Sequence, residues 1–318
     1  MSYTASHTAS HAAAKSASHT ITQIHKEQGV ALIQVLLISA IISILAIHFS
    51  YTAREQIAIA TAFEQRVKAT QALKSAQSKI IYTLLTQNTF EQPNNAFPSS
   101  ESWNFYGKPF TLEQTENSKI VVSIQDNNGL LSQQYIKSPF WTKVLEKMGF
   151  DSIQAKKKQG LIKDWQDKNL TSWLIGNSEP KTLENGQAYR NQAIQLPQEI
   201  EWFFEQETQT LNLIKQISTQ YAMVGFNPMN APEPLLHLFF EPAIATLIIE
   251  QRDRNILTRK QIINFLGDDY DNVIMTLFQG VQFKITTQVS FADVQLQETI
   301  EIQLQPSKNE PILILARY

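Results

Sequence analysis

The sequence predicts an α+β protein: a long N-terminal helix packed on an antiparallel sheet, with a large all-helical domain inserted in that sheet. Three observations carry this. Residues 30–49 contain no Asp, Glu, Lys or Arg. Strand-like alternation appears early, up to about residue 134, and again after residue 279. The stretch between them switches to helical spacing.

The helix comes first. Val30-Ala31-Leu32-Ile33-Gln34-Val35-Leu36-Leu37-Ile38-Ser39-Ala40-Ile41-Ile42-Ser43-Ile44-Leu45-Ala46-Ile47-His48-Phe49 is apolar on every side. At about 1.5 Å per residue it reaches roughly 30 Å, the thickness of a bilayer's hydrocarbon core, so it reads as a membrane span. Beyond it, Ile57, Ala60, Phe63, Val67, Thr70, Leu73, Gln77, Ile80 and Leu84 recur at three- and four-residue spacing, with no Gly or Pro. That pattern carries the same helix, now amphipathic, over residues 50–88. Ser39 and Ser43 can bond their own helix backbone. His48 falls at the outer interface, and Gln34 falls near the other end, where a neighbouring helix would pack.

Residues 1–28 are Ser, Thr, Ala and His without apolar periodicity, as in His7-Thr8-Ala9-Ser10-His11, and read as a disordered segment. The absence of Arg argues against a mitochondrial transit peptide, and Lys15 and Lys26 favour a cytoplasmic N-terminus. The histidines could take up metal adventitiously, although a spacer that is cut away is the plainer reading.

After the helix, residues 89–102 carry Pro93 and Pro98 among Asn and Ser and read as a loop. Trp103–Gly107 and Pro109–Leu112 read as a short strand pair, and Lys119–Ile124 as a β-branched strand closing on an Asn128-Gly129 turn. Residues 89–134 thus form the first part of the sheet domain. From 135 to 278 the pattern is helical. Pro139 opens a helix ended by Gly149, and Pro197 opens another running through Phe203, Phe204, Leu211, Ile214 and Ile217. Pro234 precedes a short apolar helix, Ala243–Ile249 gives another, and Thr258 with Gln261 forms a capping box before Ile262 and Leu266. Residues 279–318 return to period two as three strands: Val281 to Phe291, Val294 to Leu304, and Pro311 to Ala316.

Composition narrows the chemistry. With 318 residues and 43% hydrophobic content the chain can bury one large core or two moderate ones. A net charge of −2 gives no basic field for nucleic acid. The lack of cysteine removes disulfides, thiol nucleophiles and Cys-ligated zinc. There is no phosphate-binding glycine motif. Beyond residue 29 the only histidines are His48 and His237, so a Ser-His-Asp triad would need His237, which reads better as a packed core residue. Asp268, Asp269 and Asp271 follow a helix-ending Gly267 and read as a solvated loop capping the next helix. No catalytic residue is assigned.

The junction carries a resemblance. Lys26-Glu27-Gln28-Gly29, then Val30-Ala31-Leu32-Ile33 and a long helix, resembles the type IV prepilin N-terminus. That family implies a leader at 1–29, cut by a prepilin peptidase between Gly29 and Val30, with N-methylation of Val30. Such leaders are usually shorter. The fifth mature residue is usually Glu and pairs with a neighbour's terminal amine; here it is Gln34, whose neutral amide cannot. Lack of that Glu is characteristic of the minor pseudopilin K of the type II (general) secretion pathway, which sits at the fibre tip. Asp126-Asn127-Asn128-Gly129-Leu130-Leu131 is similar to that family's Asp-x-x-Gly-x-Ile/Leu stretch. Asp164-Trp165-Gln166-Asp167-Lys168-Asn169 is similar to its Asp-Trp-x-Asp-x-Asp motif, and Gly225-Phe226-Asn227-Pro228-Met229-Asn230-Ala231-Pro232 to its Asn-x-Asn-Thr-Ala-Pro segment.

The resemblance implies a pilin-like fold and a single-pass inner-membrane protein with its C-terminal domain in the periplasm. It implies assembly with minor pseudopilins I and J above the major pseudopilin, capping and initiating the pseudopilus. No enzymatic activity is implied. Family members bind calcium in the helical domain, which points to Asp164, Asp167 and Asn169; near-alternate oxygens suit a hard cation, while Asn169, Lys163 and Lys168 reduce the negative charge. A plain turn with Trp165 in the core is the other reading. Two alternatives share parts of the pattern: a minor pilin of a type IV pilus, and a membrane-anchored periplasmic enzyme or binding protein. The helical insert favours component K over the former.

Overall fold

The computed structural model describes residues 13–86, 103–174, 176–178, 182–183, 185–205, 207–223 and 225–318, with side chains from Val30 onward. The expected loop at 89–102 lies outside the described residues. The chain divides into two compact units, Met1–Gln65 and Arg66–Tyr318.

Helix α1 runs from Ala13 to Thr86, ending close to the expected Asn88. It also begins earlier than expected, inside the segment 1–28 read as disordered. Alanine-rich sequence without Gly or Pro before Gly29 lets the helix extend backward, since Ala carries the most favourable helix propensity. Within the second unit, the end of α1 buries a stripe of Ala69, Leu73, Ala76, Ile80 and Leu84. Ile57, Ala60, Phe63 and Val67 stay exposed, so the amphipathic half is buried over only its last four turns or so.

Five strands form one antiparallel sheet: β1 (Phe110–Gln114), β2 (Ser118–Asp126), β5 (Gln282–Phe291), β6 (Val294–Ser307) and β7 (Glu310–Arg317), in the order β1-β2-β5-β6-β7. Val122, Ile124, Phe283, Ile285, Ile300 and Ile302 turn one face toward the α1 stripe and make a core with it. Each such aliphatic burial stabilises by about 1.5–3 kcal/mol. Lys74 and Gln77 of α1 hold Glu298 of β6 at 2.5 and 2.6 Å, fixing the helix along the sheet. The expected strand at Trp103–Gly107 is not formed. Tyr106 makes only an isolated bridge to Gln125, because Gly107 turns with φ +78° and Pro109 has no N–H to give a ladder.

β2 and β5 pair directly, from Ser118↔Phe291 to Asp126↔Phe283, and the helical block is inserted between them. It holds α2 (Pro139–Lys147), α3 (Ser152–Gln166), α4 (Thr208–Ile217), α5 (Glu233–Phe239), α6 (Pro242–Asp253) and α7 (Arg259–Leu266). α7 carries the expected capping box of Thr258 with Gln261. α3 was not anticipated; it starts with its own capping box, Asp151 with Gln154. The helix expected from Pro197 to Ile217 is split. A tight turn spans Pro197–Phe203, Phe204 leaves helical geometry at φ −133°, and α4 starts at Thr208, which lets both Phe203 and Phe204 enter the core. Nor is the block purely helical: β3 (Leu131–Ser132) pairs in parallel with β4 (Ser218–Thr219). Its own core is separate from that of the sheet and is built on Trp141, Phe204, Trp165 and the aliphatics of α4 to α7.

Candidate functional site

Two features stand out: an apolar helix left bare, and the polar neck by which the helical block meets the sheet. In the first, the large apolar side chains from Val30 to Phe49 stay about half exposed or more, and the mean hydropathy of the best window reaches 2.8. Ser39 and Ser43 donate to the carbonyls of Leu36 and Ser39 at 3.0 and 2.8 Å, so neither offers an unspent hydroxyl proton. Gln34 is exposed and lies on this surface. Such a helix is compatible with a single-pass membrane anchor. The Gly29–Val30 bond lies inside continuous helix, at the one glycine of α1.

The neck is centred on Asp126, the last residue of β2, which is wholly buried. Its Oδ2 accepts from the Asn230 amide at 2.7 Å and from the Gly280 N–H at 2.9 Å, and its Oδ1 accepts from the Asn128 N–H at 2.9 Å. Beside it, Gln125 donates to the Asn230 carbonyl at 2.9 Å, and the Asn227 N–H donates to the Asn128 carbonyl at 2.6 Å. Two further joints flank this one. Asp253 of α6 accepts from Tyr106 at 2.9 Å and from Lys108 at 2.6 Å, while Arg252 stacks 3.8 Å over the Tyr106 ring and donates to the Ala231 carbonyl. Glu301 of β6, also buried, accepts from Tyr318 at 2.8 Å and from Gln220 at 3.4 Å. Three carboxylates therefore fasten the block to the sheet.

Burial pushes the Asp126 carboxyl up to about 6, against the pull of the Gly280, Asn230 and Asn128 donors. The folded protein then binds that proton more tightly than the unfolded chain, whose Asp titrates near 3.9. Stability should be fullest below about pH 4 for this group and fall as pH rises to about 6, by up to roughly 3 kcal/mol. Glu298 and Asp253, although opposed by partial burial, are held below the usual range by Lys74 and Lys108, so their contribution is lost only as pH drops below about 4. The expected profile of tryptophan-monitored unfolding rises from pH 7 to pH 5 and declines below 4. Asp126→Asn should flatten the upper limb.

In a search of solved structures, the chain superimposes on a chain of the crystal structure of the GspK-GspI-GspJ complex from the enterotoxigenic Escherichia coli type 2 secretion system. The TM-score is 0.54 at 11% identity, over 81% of this chain and 97% of that one. The fold is pseudopilin-like. No family model matches the sequence, and no curated protein is significantly similar to it. The matched chain belongs to a secretion complex, not to an enzyme.

Within this pseudopilin-like fold, two of the three sequence stretches singled out above meet at the neck: Asp126 to Gly129 and Asn227 to Ala231. The third lies elsewhere. Asp164 sits in the last turn of α3, buried, and accepts from the Trp173 N–H at 2.8 Å. Asn169 accepts from the Thr171 N–H at 2.8 Å, and Asp167 lies 3.8 Å from Lys163. Asp167 Oδ1 alone is buried without a partner, so the donor set offers a cation one unspent buried oxygen. Among the described residues no three His, Asp or Glu side chains gather as a metal cluster. Trp165 is buried, 5.1 Å from Trp202, and donates to Glu199 at 2.9 Å. His237 was expected in the core but is exposed, because Leu235, Leu236 and Phe239 take the inward face of α5. Asp268, Asp269 and Asp271 are exposed as expected, although Asp271 caps a turn at Val273 rather than a helix.

Proposed function

We propose that the chain is a minor pseudopilin of a type II secretion machine. It would be cut between Gly29 and Val30, methylated on Val30, held in the inner membrane by residues 30–49, and placed with its folded unit in the periplasm at the fibre tip. The fold likeness to a chain of the GspK-GspI-GspJ complex, over nearly all of that chain, carries this reading. Partners of the same kind, minor pseudopilins I and J above a major pseudopilin, follow from it.

The physical role is packing. A helix without charge over residues 30–49 buries itself among lipids and neighbouring helices, where small and hydroxyl side chains permit close approach. Gln34 brings no charge to pair with an amine, which suits a subunit with none above it. Gly29 suits the cut: a helical bond must unwind to be cleaved, and Gly weakens a helix by about 1 kcal/mol relative to Ala.

The test is the N-terminal mass of the protein taken from membranes with and without the prepilin peptidase. A chain beginning at methylated Val30 only when the peptidase is present is the expected result. An uncut chain in both samples would sink the proposal. Copurification of the I and J components, rather than surface pilins, separates it from a type IV pilus subunit. Calcium binding at Asp164, Asp167 and Asn169 is proposed as weak, since two of the three groups already accept from backbone N–H. Calorimetric titration should give a small signal that Asp167→Asn abolishes.

A further inference from the structure

The sheet has two margins, β1 and β7, and β7 is the apolar one: Glu310-Pro311-Ile312-Leu313-Ile314-Leu315-Ala316-Arg317, with β6 on one side and no strand on the other. The pairing fixes which of its backbone groups face outward. Thr299 of β6 and Tyr318 exchange both backbone hydrogen bonds, at 2.8 and 3.0 Å, while the Leu304 N–H turns the other way, to the Val281 carbonyl at 2.8 Å. From Thr299 to Leu304, odd-numbered residues of β6 therefore bond β7 and even-numbered ones bond β5. Glu301 and Gln303 lie opposite Ala316 and Leu313, which spend their N–H and C=O groups on β6. Ile312, Ile314 and Arg317 lie opposite Leu304, Ile302 and Ile300, so their backbone groups point away from the sheet. Among the described residues, those outward groups meet no partner.

A sheet edge is usually protected by charge, by Pro or by a bulge. Here Pro311 precedes the run and Leu315, which has no residue opposite it, follows; Ile312-Leu313-Ile314 between them has none of these guards. Leu304 and Ile302 belong to the core against α1, so Ile312 and Ile314 lie on that face of the sheet, and Leu313, opposite Gln303, lies on the other. Ile314 is 49% and Leu313 44% exposed. A strand laid beside β7 would cover both and continue the core past its present rim.

The occupant has to be an extended backbone, because unmet N–H and C=O groups recur at the two-residue repeat of a strand. A second copy of β7 fits poorly. Two copies could close only antiparallel, about a two-fold axis at Leu313, which would run their α1 segments in opposite directions. Two chains held by residues 30–49 in one membrane cannot do that, and a three-residue ladder falls short of the about 1,200 Å² of a stable dimer.

We propose that the β7 edge takes up an extended segment of another protein, antiparallel, with apolar side chains at two alternate positions, one opposite Ile312 and one opposite Ile314. Every pair in this sheet is antiparallel, and parallel pairing is the weaker kind. Each of the two partner residues exchanges both of its hydrogen bonds with β7, and its side chain joins the α1 face. The role does not depend on cleavage at Gly29 or on the machine the chain serves.

The test uses the full chain in lipid nanodiscs and a labelled peptide alternating Val with Thr, read by fluorescence anisotropy against empty nanodiscs. The peptide is expected to bind. In the antiparallel register its Val amides face β7 and its Thr amides face away. N-methylation of the Val amides should weaken binding at least about tenfold, and N-methylation of the Thr amides less than about twofold. Ile314→Pro removes an outward N–H that β6 does not use and should also cost about tenfold. Ile314→Lys keeps the backbone intact and should weaken binding through the lost apolar contact, so the site is tested even where the Pro variant fails to fold. No binding, equal loss from the two methylated peptides, loss confined to the Thr set, or affinity unchanged by Ile314→Lys would each overturn the proposal. A chain dimer that Ile314→Lys dissolves would assign the edge to a second copy and overturn it as well.

Discussion

Replacing Gly129 by Ala is expected to lower the unfolding midpoint of the Arg66–Tyr318 unit by roughly 10 °C. A Cβ at this position would sit 2.0 Å from the Asn230 carbonyl oxygen and 2.4 Å from its carbon. Those are backbone atoms and cannot swing aside. The segment carrying Asn230 must retreat, and it takes with it the Asn230 amide on Asp126, the Gln125 bond to the Asn230 carbonyl, and the Asn227 bond to Asn128. Overpacking costs about 1–3 kcal/mol and each of the three lost hydrogen bonds about 1, giving a total of about 4–6 kcal/mol. At about 2 °C per kcal/mol for a unit of this size, the shift follows. Gly149→Ala is the control. Gly149 has φ +100° but nothing within 4 Å of a new Cβ, so only backbone strain of about 1 kcal/mol applies and the midpoint should move a few degrees. All five tryptophans fall in this unit, so their fluorescence follows its unfolding without interference from the apolar helix.

The close approach at Gly129 shows why some of the molecule could be read from the chain and some could not. The membrane-length run, the β-branched strand at Lys119–Ile124 and the three closing strands are local patterns, and they appear where the spacing puts them. α3 was silent because its sequence includes three consecutive lysines, and the first half of its buried face is small or polar, Ala155, Gln159 and Gly160, with large apolar side chains only at Ile162 and Trp165. Gly160 is inside the helix because Leu174 occupies the space a Cβ would need, at 2.5 Å, a contact no periodicity encodes. Only Asp151 with Gln154, a capping box, marked its start. The expectation for Val67 and Thr70 failed for a related reason: the apolar stripe drifts around α1, and burial follows Ala69 and Ala76 instead.

The neck is harder still. Asp126 finds Asn230 across 104 residues and Gly280 across 154, so its burial belongs to the fold and not to its neighbours in sequence. The family resemblance drew attention to both stretches, yet gave no reason for them. The structure supplies one: a buried carboxylate needs donors, and the two stretches with Gly280 provide three. The apolar helix, in contrast, was legible residue by residue, because a run uniformly apolar over the length of a bilayer core, with no Gly or Pro after Gly29, is a purely local pattern.

Trp141 provides the other large effect. It lies on α2, is 1% exposed, and its indole N–H donates to the Ser132 carbonyl at 2.8 Å. The ring therefore fills the core of the helical block and also ties α2 to β3. Trp141→Ala should cost about 3–5 kcal/mol through the cavity it leaves. Trp141→Phe separates the two roles: most of the ring stays, but the Ser132 carbonyl keeps only the longer 3.2 Å bond from the Tyr135 N–H, at a cost of about 1 kcal/mol. Trp173→Ala makes the comparison fair, since Trp173 is 42% exposed and its removal should cost less than about 1 kcal/mol. Calorimetry of the three variants should rank them Ala at 141, then Phe at 141, then Ala at 173. A Phe variant as stable as wild type would mean that packing alone holds α2 against β3. A Phe variant as damaged as the Ala variant would mean that the hydrogen bond, not the ring, fixes α2 against β3.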